Sequence, residues 1–134
     1  MREILFRGNR VDDGEWVQGY YVKQYGANQI YLPDGTDREY GFDYYHIDPS
    51  TIGQYTGLID KNGKKIFEGD ILKFSYNEED ENPTFYSVEW KSDRACFGYA
   101  ETSDKMLEVD ALHCEVIGNI HDNPELLESE VEGE

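Results

Sequence analysis

Apolar and aromatic residues in this chain arrive in runs of four to nine, each broken by Gly, Asn or Asp. Runs this short, interrupted about every ten residues, suit strands and are too short for helices of ordinary length. The expected runs are Ile4–Arg7, Glu15–Val22, Gln29–Leu32, Tyr40–Ile47, Thr51–Ile59, Lys64–Phe67, Ile71–Tyr76, Phe85–Lys91, Ala95–Ala100 and Cys114–Ile120. In Trp16, Gln18, Tyr20 and Val22 the alternation of a half-buried strand is visible. Turns are read at Arg7–Arg10, Asp12–Gly14, Pro33–Gly35, Asp60–Gly63 and Glu68–Asp70. Asn62-Gly63 is the sharpest of these, expected as a two-residue hairpin loop with both residues at positive φ. Met106–Leu112 reads equally as strand or helical turn. Asn123-Pro124-Glu125 opens a short helix, with Asn123 as cap and Pro124 at the first helical position.

A chain so acidic needs another source of burial. Only 30 of the 134 residues are Leu, Ile, Val or Phe, and the net charge is −17. Eleven Tyr and two Trp supply the missing apolar area. The fold class is therefore mainly β, built of short strands and hairpins with one short C-terminal helix. The charge is uneven: residues 106–134 carry nine acids and no Lys or Arg. The end, 128–134, reads as an acidic disordered tail.

The charge also sorts function classes. Phosphate-tracking nucleic-acid binding needs a cationic face, and anionic membrane surfaces repel such a chain. No apolar run approaches a membrane span and no leader is evident, so a reducing cytoplasm is expected, with Cys96 and Cys114 as thiols.

Asp60, Asn62 and Glu68 offer oxygens, but the calcium-loop positions of Gly and the final Glu are not matched. Cys96, Cys114, His46, His113 and His121 match no zinc-knuckle spacing, and no orienting group marks a Cys–His nucleophile. Glu78–Glu81 reads as a solvated loop. The aromatic cluster Tyr40–Tyr45 has only Arg38 beside it, which favours packing or a protein interface over base stacking. Neither a phosphate loop nor a dinucleotide fingerprint is present. No catalytic residue, metal ligand or cofactor is assigned.

Five blocks together resemble the YopX family. They are Phe6-Arg7-Gly8, Trp16–Tyr21, Ile52–Gly63, Ile66–Ile71 and Val116–Leu126. The resemblance implies a phage- or prophage-encoded protein acting inside a bacterial cell. It implies one unit over 1–127, with a β subdomain over about 1–50 that joins in self-association and a barrel-like part over about 51–127; Gly69-Asp70-Ile71-Leu72 itself resembles the entry into a first strand of small SH3-like barrels. It brings no assigned activity. Its signature positions, Gly57, Asp60, Asn62, Gly63, Gly69, Asp70, Gly118, Asn119 and Pro124, read as turn architecture.

The leading expectation is an accessory protein acting by protein–protein contact, on itself as a homo-oligomer and on an unknown host or phage protein. Trp16, Tyr20, Tyr44 and Tyr45 are the candidate self-association residues. Two alternatives stand beside it. One is an acidic decoy for a host nucleic-acid-binding protein, which asks for carboxylates spaced along one face. The other is a metal-dependent hydrolase or nuclease, which asks Asp60, Glu68 and Asp70 to converge.

Overall fold

The computed structural model describes residues 3–32, 44–75, 83–102, 104–106 and 108–127. The chain divides into two compact units, Met1–Tyr55 and Thr56–Glu134. The expected acidic tail, the Glu78–Glu81 loop and Tyr40–Phe42 lie outside the described residues.

In the first unit, β1 (Phe6–Asn9), β2 (Trp16–Gln24), β3 (Ala27–Tyr31) and β4 (Tyr44–His46) form an antiparallel sheet. A single 3₁₀ turn (Pro49–Thr51) follows, capped by the Asp48 side chain accepting from the Ser50 N–H. The strand order is β4-β3-β2-β1-β5, with β5 spanning Gly53–Ile59. β2 is long because it serves two neighbours. Trp16–Gly19 pair with β1 and Tyr20–Gln24 pair with β3. Gly19 stands at the handover, where a Cβ would lie 2.1 Å from the Tyr31 carbonyl oxygen. Only glycine permits that approach.

The expected turn at Arg7–Arg10 is strand through Asn9. Gly8 is there for space: a Cβ would lie 2.4 Å from Cγ2 of buried Ile47. The chain turns later, at residues 11–13, with Gly14 at φ 74°. Among the described residues, Leu5, Ile30, Ile47 and Tyr55 are the buried hydrophobic side chains of this unit.

β5 runs across the division. Gly53 and Gln54 pair with β1, while the Thr56 hydroxyl donates to the Ile66 carbonyl of β6 (Lys65–Phe67). The intervening loop differs from the expected form. Asp60 N–H donates to the Lys64 carbonyl around a three-residue loop, Lys61-Asn62-Gly63, of which only Gly63 has positive φ. This is the bulged hairpin loop, in which only the last loop residue is left-handed.

The second unit holds β7 (Asp70–Phe74), β8 (Thr84–Lys91), β9 (Cys96–Tyr99) and β10 (Cys114–Asn119), in the order β10-β7-β8-β9. Where strand and helical turn were equally expected, Glu108–Ala111 is a helical turn, α1, and residues 125–127 are helical too. Asn123 Oδ1 accepts from the Asn119 N–H. Ile66, Leu72, Phe74, Val88, Tyr99, Ala111 and Cys114 form the core.

The barrel-type expectation needs correction, since the four-stranded sheet is open among the described residues. Its two edge strands are covered by other segments rather than by each other. The Phe97 carbonyl of β9 accepts from Met106 N–H, and Gly98 bridges Lys105. The Cys114 carbonyl of β10 accepts from Lys61 N–H. Covered edges leave no free ladder to drive closure. The mainly β class holds.

Candidate functional site

Strand register decides which aromatic residues share a face. Tyr20 lies opposite Tyr31, and Tyr31 lies opposite Tyr44, so one tyrosine from each of β2, β3 and β4 forms a row. Tyr31 and Tyr44 stack with centroids 5.0 Å apart, and His46 meets Tyr44 edge-on at 5.7 Å. By alternation along β2, Trp16 stands on the same face. The Arg7 guanidinium lies 4.8 Å from the Trp16 ring centre. Tyr20 is 54% exposed.

Three of the four expected association residues, Trp16, Tyr20 and Tyr44, thus fall on one face. Tyr45 is not with them. It pairs with buried Ile30 on the opposite face and lies under Arg10, whose guanidinium is 3.8 Å from its ring centre. Arg10 also forks onto Asp12, at 2.9 and 2.7 Å, which lowers the Asp12 carboxyl and raises the guanidinium further. Tyr31 and His46 belong to the face and were not singled out from sequence. Their signal was there in the alternation Gln29, Ile30, Tyr31, which puts Tyr31 across from Tyr20 once the register is known.

The remaining candidates are structural in placement. The Asp60 carboxylate is buried and accepts from three backbone N–H groups: Asn62 at 2.8 Å, Lys64 at 2.9 Å and Val116 at 2.9 Å. Asp70, also buried, accepts from Phe67 N–H at 2.7 Å, holding the turn in which Gly69 takes φ 93°. Both carboxylates therefore have acceptor capacity committed to turns. Asn119 Oδ1 accepts from His121 and Asp122 N–H, both at 2.9 Å, and Gly118 sits where a Cβ would meet Asn123. Gly57 is left-handed within β5, and Pro124 precedes the helical residues 125–127. Among the described residues, no three His, Cys, Asp or Glu side chains are grouped to hold a metal ion.

Cys114 is buried, and desolvation first, then the charges of Asp60 and Asp110, push its thiol up to about 12. A thiol so raised is a poor nucleophile. Among the described residues no helix is long and apolar enough to cross a membrane.

These observations describe an all-β protein of two antiparallel-sheet units whose most distinctive surface is a row of aromatic side chains. The family model described as YopX protein matches residues 5–128, and the chain belongs to the YopX family. The structure is similar to the crystal structure of protein EF1440 from Enterococcus faecalis. The TM-score is 0.60 and the identity 23%, over 95% of this chain and 99% of that one. No curated protein matches the chain.

Proposed function

We propose that this is a phage or prophage accessory protein of the bacterial cell interior that works by protein–protein contact, associating with itself through the Trp16–Tyr20–Tyr31–Tyr44 face. The observation that carries the reading is electrostatic. β1–β4 contain no Asp or Glu, in a chain with 29. Two copies of a −17 chain repel, and they repel least where the facing surfaces carry no carboxylate. The same face offers Tyr and Trp, the side chains enriched at the centres of interfaces. A two-fold arrangement sets the face against its own copy.

Sedimentation velocity tests this. The wild-type chain is expected well above its 15.6 kDa monomer mass. Tyr20→Glu places a charge at the most exposed ring of the row and is expected to return the species to monomer with an unchanged melting temperature. A wild-type monomer at high concentration, or a Tyr20→Glu variant of undiminished mass, overturns the reading.

A further inference from the structure

The second unit contains a cleft of about 970 Å³ whose chemistry the aromatic face does not use. Its inner wall is aromatic. Phe74 and Tyr99 meet edge-on at 5.6 Å, and Tyr86 lies 5.4 Å from Tyr99 and 5.9 Å from Phe74. Phe74 and Tyr99 are buried, so half-buried Tyr86 is the ring of the three with most surface left to offer. The rim is charged. Arg94, from the β8–β9 turn, and Lys105, from the segment covering β9, are both exposed lining residues. They place two of the chain's 12 cationic side chains at one opening. Asp104 and Asp110 line the same cleft, Asp110 accepting from the Tyr99 hydroxyl at 3.1 Å.

Each part selects a piece of a ligand. An aromatic wall takes a flat ring by stacking. A guanidinium and an ammonium on one rim suit a multiply charged oxyanion better than a single carboxylate. Carboxylates are acceptors only, so they call for hydroxyl or amino donors on the same molecule. A volume at the upper end of the range for small-molecule sites has room for more than one ring.

We propose that this cleft binds a nucleoside monophosphate. The base packs on Tyr86, the phosphate sits between Arg94 and Lys105, and sugar hydroxyls or an exocyclic amine donate to Asp104 or Asp110. The site is independent of the self-association face and lies wholly within Thr56–Glu134.

The test is calorimetry on the full chain with AMP, GMP, CMP and UMP, with the matching nucleosides and inorganic phosphate as controls. At least one nucleotide is expected to bind with a Kd of about 10–1,000 μM. Its nucleoside and free phosphate should each bind at least about tenfold more weakly. The Arg94→Ala/Lys105→Ala double variant alters exposed side chains, so it should keep the wild-type melting temperature while losing about tenfold or more in affinity. Half-exposed Cys96 lines the cleft, so the bound nucleotide should also slow its alkylation by iodoacetamide. The proposal fails if none of the four nucleotides binds at about 5 mM. It fails equally if nucleoside and nucleotide bind alike, if phosphate alone binds as well, or if a folded double variant binds unchanged.

Discussion

Replacing Asp60 should damage the second unit in a graded way that its three hydrogen bonds set. Two accepted N–H groups, from Asn62 and Lys64, belong to exposed turn residues. Water can replace the lost acceptor there, so each bond is worth about 0.5–1 kcal/mol. The third comes from Val116 of β10, part-buried and 56 residues away. An N–H there without an acceptor costs about 1–3 kcal/mol. Asp60→Ala loses all three and should cost about 3–4 kcal/mol. Asp60→Asn keeps one oxygen but sets a donor against a donor at the other position, for about 2 kcal/mol. For a domain of this size about 1 kcal/mol moves the melting temperature by about 3–5 °C, so shifts of about 9–20 and 6–10 °C are expected. The two tryptophans make the assay specific, since Trp16 lies in the first unit and Trp90 in the second. In a Trp16→Phe background, urea unfolding followed by fluorescence reports Trp90. The reasoning is refuted if Asp60→Asn stays within about 0.5 kcal/mol of wild type, or if Ala is no worse than Asn.

Two further outcomes rest on local geometry. Gly19→Ala forces a methyl to 2.1 Å from the Tyr31 carbonyl oxygen, so β2 or β3 must shift. A loss of about 2–3 kcal/mol is expected in the Trp16 transition, and a neutral substitution would mean that the two strands are not in this register. The second concerns pH. Below about pH 9 the Cys114 thiol keeps its proton in both folded and unfolded chains, and it makes no pH-dependent contribution. Above the ordinary thiol value of 9.0 the unfolded chain releases its proton, while the folded chain holds it to about 12. Stability therefore falls as pH rises through this window, by about 2 kcal/mol at about pH 10.5 relative to pH 8. Cys114→Ala should remove that part of the slope in urea titrations, and an identical slope in both proteins would contradict the assignment.

Strand positions were legible where alternation was regular, as in β2, because period-two patterning marks a strand directly. Glycine was harder to read. At Gly8 and Gly19 it makes room for another residue, and that neighbour is distant in sequence, so nothing local distinguishes spacing from turning. The two hairpins reverse the local expectation. Asn62-Gly63 closes a bulged three-residue loop because the Asp60 carboxylate captures the turn N–H groups. The two-residue loop with both residues at positive φ is Tyr25-Gly26, at 52° and 79°. Tyr has no strong preference for that conformation, so composition gave no warning. The candidate face was half legible. Trp16, Tyr20 and Tyr44 could be chosen by residue type, but excluding Tyr45 and admitting Tyr31 required the β3–β4 register, which long-range pairing sets.

The Asp60 carboxylate also imposes an order of events during synthesis. Its bonds to Asn62 and Lys64 can close as soon as the hairpin leaves the ribosome, whereas Val116 is made 52 residues after Lys64. At about 5–20 residues per second that gap is several seconds. Throughout it β7 lacks its partner β10, and one acceptor of Asp60 is left to water. The nascent chain thus passes through a stage with a formed turn and an unpaired sheet edge. The strand that ends this stage is β10, the last strand among the described residues.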